Sequence, residues 1–257
     1  MKCVKNAGFT IIETMLFLGI TGLMVMSILA GAGRSINVQR YHDSINSLQS
    51  FLQQQYSDVT NTINNRNNDW KCDITGVTNN PNPNNPNRGQ SECVILGRLI
   101  RTPDIASSPN GKVIDIYDVV GYMPTNSVWG LDEIQVFKLN NPSLPNGYGT
   151  FISVVDKQTY DIGWDASMVK PSVDDRLDFS IMILRSPISG NIRTFITKNY
   201  VADADINDIV SLVSLKNDLT LCLNSNGLFT GPRMGVYINA SASSASDVIT
   251  KSDGSGC

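Results

Sequence analysis

Several groups of side chains in this chain of 257 residues have types and spacings that suggest chemistry. In "DADIND", Asp203, Asp205 and Asn207 stand at alternate positions, as at the start of an EF-hand calcium loop. That loop next needs a glycine for its sharp turn and a glutamate to close the cage. Asp208 and Ser214 occupy those slots, so the expected role of these residues is to cap a helix, with calcium between Asp203 and Asp208 as the rival reading. Asp174 and Asp175, with Asp178 nearby, are carboxylates close enough in sequence for acid/base work, but no activating neighbour accompanies them and a solvated turn is expected. His42 is the single histidine and reads as a solvated residue on a helix. With no CxxC pair beside it, the ligands of a structural zinc site are not assembled. Asn239, Ala240 and Ser241 match a glycosylation sequon by pattern alone. Because no nucleophile elbow, phosphate loop or metal-binding helix can be read, the expectation is no catalytic residue, no metal, no cofactor and no enzyme. A formal net charge of -3 gives no broad basic footprint, so direct nucleic-acid binding is not expected.

What remains is Glu13, and it stands in an unusual place. From Phe9 to Gly33, about 25 residues, it is the only charge in an apolar run that as a helix measures roughly 37 Å, enough to cross a hydrocarbon core. Lys2 and Lys5 precede the run as in a secretory signal peptide, but the run exceeds the usual signal length and contains a carboxylate. Arg34 and Arg40 nearly balance the two lysines, so charge alone does not orient the segment. Beyond it lie Cys72, Cys93, Cys222 and Cys257, an even number suited to an oxidising compartment. The N-terminus is therefore expected in the cytoplasm and everything after Arg34 outside.

The helical signal continues past the apolar run. Tyr41, Ile45, Leu48, Leu52, Tyr56, Val59 and Ile63 recur at steps of three and four among polar residues, and no proline occurs between Phe9 and Asn80. One helix from about Phe9 to about Asn64 is expected, apolar all round in its first half and amphipathic in its second. A helix of that length, over ~80 Å, must be packed by more than its own small domain.

These residues carry a resemblance. "KNAGFTIIETMLFLGITGLM" resembles the class III prepilin signature of type IV pilins and type II secretion pseudopilins: a short basic leader ending in glycine, then Phe-Thr-x-Ile-Glu and an apolar stretch. The resemblance covers roughly the first 60 residues. It implies a leader of residues 1–8, cleavage by prepilin peptidase between Gly8 and Phe9, and N-methylation of the new Phe9 amine. Cys3 would leave with the leader. It also implies a use for Glu13. A lone charge at bilayer depth costs on the order of 2.5 to 3.5 kcal/mol, and the family supplies its partner as the Phe9 amine of a neighbouring subunit. The rival readings are that Glu13 snorkels to the interface or pairs with its own amine. Implied partners are other pilin subunits, the prepilin peptidase, the pilus assembly platform with its ATPase, and membrane lipid before assembly. The implied location is the cytoplasmic membrane, then a cell-surface filament. The proline many pilins carry within the apolar segment is missing; Gly19, Gly22, Gly31 and Gly33 are there instead, which invites local melting around Gly19 to Gly22 or close helix packing.

Residues 9–33 are thus the transmembrane and assembly half of the helix, 34–66 its amphipathic half, and 67–257 a head outside the membrane. The head opens on an irregular segment with an Asn- and Pro-rich loop at 73–92. Four cysteines permit three connectivities; joining Cys72 to Cys93 would close a loop of about 20 residues, and joining Cys222 to Cys257 would tie down a polar tail otherwise expected to be loose. "CVILGRLI", "KVIDIYDVVGYM", "DEIQVFKL", "GTFISVVD", "LDFSIMILRS", "NIRTFIT" and "RMGVYINA" read as strands, "LTLCLNSNGLF" as strand, turn and strand, "SPISGNIR" as a hairpin turn and "DADINDIVSLVSLKND" as a short helix. The expected fold class is α+β, a long N-terminal helix packed on an antiparallel β-sheet head, as in pilins. A head of about 190 residues is large for a repeating subunit and points to a minor pilin for adhesion, motility or DNA uptake. Its rivals are a pseudopilin of a secretion or competence system and an uncleaved signal-anchored binding domain or enzyme.

Overall fold

The computed structural model of the chain describes residues 10–62, 70–73, 76–79, 93–122, 153–186, 189–202, 206–210, 212–227, 231–251 and 256–257. It is an α+β molecule with one long helix and antiparallel sheets. Helix α1 runs unbroken over Ile11–Thr60, 50 residues. It starts two residues later than expected because Thr10 is its cap: the Thr10 hydroxyl accepts a hydrogen bond from the Glu13 N–H at 3.3 Å, satisfying a donor the first turn leaves orphaned. It ends where Thr62 adopts a left-handed φ of 48° that an α-helix does not continue through. The four glycines of the apolar half do not interrupt it, and a Cβ added at any of them would meet nothing within 4 Å of the chain. Their smallness is not required by any contact within the subunit.

The stripe anticipated from periodicity is the buried face of α1. Tyr41, Ile45, Leu48, Leu52, Tyr56 and Val59 are all buried, while Ile63 lies outside the described residues. They pack on two sheets rather than on one. The larger sheet contains β3 (Cys93–Arg101), β4 (Val113–Tyr122), β5 (Ser153–Asp161), β7 (Ser180–Arg185) and β8 (Ile192–Thr197), in the order β5-β4-β3-β7-β8. The smaller contains β6 (Ser167–Val169), β9 (Leu219–Asn224), β10 (Met234–Ile238) and β11 (Val248–Lys251), in the order β11-β10-β9-β6. Ile114, Ile181 and Ile196 of the first sheet and Leu221, Val236 and Val248 of the second share one core with α1. The other face of the larger sheet is covered as well: Met182, Leu184 and Phe195 pack with Ile209 and Val210, beside the one-turn helices α2 (Ile206–Ile209) and α3 (Leu212–Leu215). Burial on both faces explains why "SIMIL" in β7 is apolar without alternation.

Three expectations need correction. The segment read as irregular after the helix contains a hairpin of β1 (Trp70–Asp73) and β2 (Gly76–Asn79), paired antiparallel. The tail read as loose forms a 3-10 turn at Ala245–Asp247 and strand β11, and Gln49 and Gln53 of α1 both donate to the Val248 carbonyl at 3.1 Å. The single helix read between Asp203 and Asp218 is two separate turns, α2 and α3. The run "DEIQVFKL" lies outside the described residues.

Two local features hold the larger sheet and the helix in register. At the β-bulge between Ile95 and Gly97, a Cβ at position 97 would stand 1.8 Å from the Ile183 carbonyl oxygen, so only glycine lets β3 approach β7 there. One residue on, Arg98 is buried and its guanidinium reaches Gln55 Oε1 at 2.8 Å, Asp58 at 3.3 Å and Asp118 at 3.5 Å. It thereby ties the last turns of α1 to the two central strands. Arg98→Ala would leave carboxylates buried without their cation and is expected to destabilise the head by about 3–5 kcal/mol, read as a lowered denaturation midpoint.

Two tyrosines of the stripe form hydrogen bonds across the core. Tyr41 donates to the Leu223 carbonyl at 2.7 Å and accepts from the Met234 N–H at 2.9 Å; Tyr56 lies 3.0 Å from the Thr194 hydroxyl. Burial pushes both phenols above their ordinary value, against the lowering effect of those hydrogen bonds. A phenol kept protonated by the fold still ionises near pH ~10 when unfolded, so its contribution is intact below that pH and is lost as pH rises towards the folded value. The thermal midpoint is expected to fall above about pH 10, and less steeply in Tyr56→Phe, which has one phenol fewer to ionise.

Candidate functional site

The first half of α1 carries an apolar surface that none of the described residues covers. Ile11, Ile12, Met15, Leu16, Phe17, Leu18, Leu23, Met24, Met26, Ile28 and Leu29 are all at least 62% exposed. An 18-residue window in this helix has a mean hydropathy of 2.1 with none of it buried, so α1 is long and apolar enough to cross a membrane. An exposed patch of this size marks a surface meant for lipid or for other helices. The bare stretch ends near Asn37, where side chains become half-buried, and full burial begins at Tyr41.

Glu13 sits in the first turn of this surface, three residues after the cap. Its carboxylate accepts from the Thr10 N–H and the Thr10 hydroxyl, both at 3.4 Å, and the return bond from the Glu13 N–H completes a capping box. A carboxylate there also suits the positive end of the helix dipole. Both accepted bonds are at the long end of the useful range. Gly8 and Phe9 lie outside the described residues.

The structure joins Cys222 to Cys257 in a disulfide with a Cα–Cα distance of 5.5 Å. Cys222 is fully buried in β9 opposite Gly235 of β10, and a Cβ at Gly235 would come within 2.9 Å of the Cys257 sulfur. Glycine at that register position makes room for the bridge. Cys72 pairs with Val77 in the hairpin and Cys93 with Tyr122 in the larger sheet, while their side chains lie outside the described residues.

The other residues with chemical promise are dispersed. Asp174 is bound by Arg233 and by Asn224, whose side-chain amide donates at 2.7 Å; Asp178 pairs with Arg176 at 2.9 Å; Asp175 is exposed and offers its carbonyl to the Lys170 N–H. The three do not converge on one point. His42 is exposed on α1, edge-on to Tyr41. Asp203 and Asp205 lie outside the described residues, as does the side chain of Asn207, and no metal-ligating cluster exists among the described residues. The chain matches no family model, no curated protein and no solved structure.

Two features of the site escaped sequence reasoning. Thr10 as a cap was legible in principle, since Thr-x-x-Glu before an apolar run is a capping-box pattern. The contact of Arg40 with Trp164, which stacks a guanidinium 5.0 Å from an aromatic ring across a long sequence separation, was not. The bridge from Cys222 to Cys257, separated by 35 residues, is expected to contribute about 2–4 kcal/mol. Cys257→Ser should lower the denaturation midpoint and detach β11 from β10 first, seen as faster amide exchange at Val248 to Lys251.

Proposed function

We propose that this chain is a prepilin, the membrane-stored precursor of a type IV pilus subunit, most consistent in its large head with a minor pilin. One observation carries the reading: a bare apolar half-helix bears a single, weakly satisfied carboxylate in its first turn and continues without a break into the core of a folded head. The order Gly8, Phe9, Glu13 gives that carboxylate its role through the resemblance to prepilins. Lipid covers the apolar half first. After prepilin peptidase removes residues 1–8 and the Phe9 amine is methylated, the helix leaves the bilayer for a bundle of like helices in a filament.

In that exchange Glu13 replaces two long local hydrogen bonds with a charge-assisted one to the neighbour's Phe9 amine. The open space around Gly19, Gly22, Gly31 and Gly33 lets neighbouring helices approach closely. The head, anchored on the second half of α1, forms the outside of the filament or its tip and acts in adhesion, motility or DNA uptake. In a secretion or competence pseudopilus the same helix would make only a short envelope fibre, so recovery in long sheared fibres distinguishes the two.

N-terminal mass spectrometry tests the processing. A mature chain beginning at methylated Phe9 is expected; an intact segment from Met1 to Gly8 in the membrane or fibre fraction would instead mean an uncleaved anchor. Glu13→Ala is expected to insert and be cleaved normally while its incorporation into filaments falls at least about tenfold, the factor corresponding to about 1.4 kcal/mol and less than the cost of an unpaired buried charge. Filament incorporation at the unaltered level would show that Glu13 has another role.

A further inference from the structure

Trp164 stands in an exposed turn of the head, closed by the Ala166 N–H donating to the Gly163 carbonyl at 3.3 Å. It is 50% exposed, and both it and Asp165 adopt left-handed backbone angles, φ 58° and 60°, which bulky residues rarely take. Backbone strain of this kind persists where the surroundings impose it and often marks a surface with a job. The loop carrying it is fastened to α1, because Ser44 donates to the Gly163 carbonyl at 2.9 Å. Arg40, one turn nearer the apolar half than Ser44, lies 5.0 Å from the Trp164 ring.

The position along α1 decides what this pair meets. Counting from Thr14, the first residue after Glu13, about 20 residues of helix reach Gly33 and span about 30 Å, the thickness of a hydrocarbon core. Arg34 then falls at the edge of that core and Arg40 roughly 10 Å beyond it, in or just above the headgroup layer. Side chains on a helix lean towards its N-terminus, so the long Arg40 side chain is directed back to the bilayer. We infer that Trp164 and Arg40, resting on the membrane-spanning reading of α1, form an interfacial anchor that seats the head on the lipid headgroups of the outer leaflet before assembly.

The chemistry fits that occupant. A tryptophan with an apolar body and a polar N–H is the residue type that partitions to the membrane–water boundary, and Arg34 and Arg40 attract lipid phosphates. Asp165, the residue after Trp164, is paired with Lys112 and so does not present a bare negative charge to the lipid. The surface is continuous with the apolar half of α1 through the exposed Ile36, which lies one turn before Arg40. Assembly would then have to peel Trp164 off the leaflet as well as withdraw the helix.

The test uses the full chain in vesicles of phosphatidylcholine with phosphatidylglycerol, with Trp70→Phe and Trp129→Phe leaving Trp164 as the only tryptophan emitter. Lipids brominated near the headgroup are expected to quench Trp164 about twofold more than lipids brominated near the chain ends, and Arg40→Gln to reduce that quenching. In parallel, Leu23→Trp with all three native tryptophans changed to Phe reports insertion and should be quenched best by the chain-end probe. Quenching of the Leu23 reporter with none at Trp164 overturns the anchor, leaves α1 in the membrane, and assigns the pair to a neighbouring subunit instead. Quenching of neither overturns the membrane reading and the anchor with it. Should the double substitution fail to fold, headgroup-probe quenching is compared between Trp164→Phe and the unaltered chain: its loss in the variant supports the anchor, and its persistence at the unaltered level overturns it.

Discussion

The stripe from Tyr41 to Val59 is packed against two sheets at once, and nearly every other feature of the head depends on that contact. The stripe repeats about every 3.6 residues and so runs straight along α1, and residues of both the five-stranded and the four-stranded sheets share one core with it. The polar groups along it are matched to the same geometry. Tyr41 bonds the smaller sheet, Tyr56 the larger through Thr194, and Arg98 draws Gln55 and Asp58 onto β3. Removing water from this seam makes each of those bonds matter more than it would at a surface.

The two halves of α1 have different surroundings. Among the described residues the apolar half is exposed along its length, while the second half is buried in the core. The capping box between Thr10 and Glu13 satisfies orphan donors of the first turn of α1. Stability resides in one half of α1 and adaptability in the other. The boundary between them falls near Arg34 to Arg40, where Trp164 reaches across to the helix.

The C-terminal part of the chain closes the structure. Strand β11 would be a short exposed edge but for Gln49 and Gln53, which bond its first carbonyl, and for the disulfide that holds Cys257 beneath β9. Gly235 serves this arrangement by its lack of a side chain, and Gly97 serves the β3 to β7 contact in the same manner. Both are positions where backbone approach, rather than turn formation, selects the glycine.

Period and run length are properties of neighbouring residues, which is why the long helix, its two halves, its buried face and most of the strands were legible in the sequence. The 3.6-residue repeat identified Tyr41, Ile45, Leu48, Leu52, Tyr56 and Val59 as a group, and the apolar run isolated Glu13. The two-stranded hairpin, the three-residue β6 and the four-residue β11 were not legible, because strands so short hold too few residues for a period to register and owe their form to pairing partners. The division into two sheets, the Arg98 cluster and the meeting of Arg40 with Trp164 were decided only by tertiary structure. They join residues tens to more than a hundred positions apart, and local pattern carries no record of which distant groups the chain brings together.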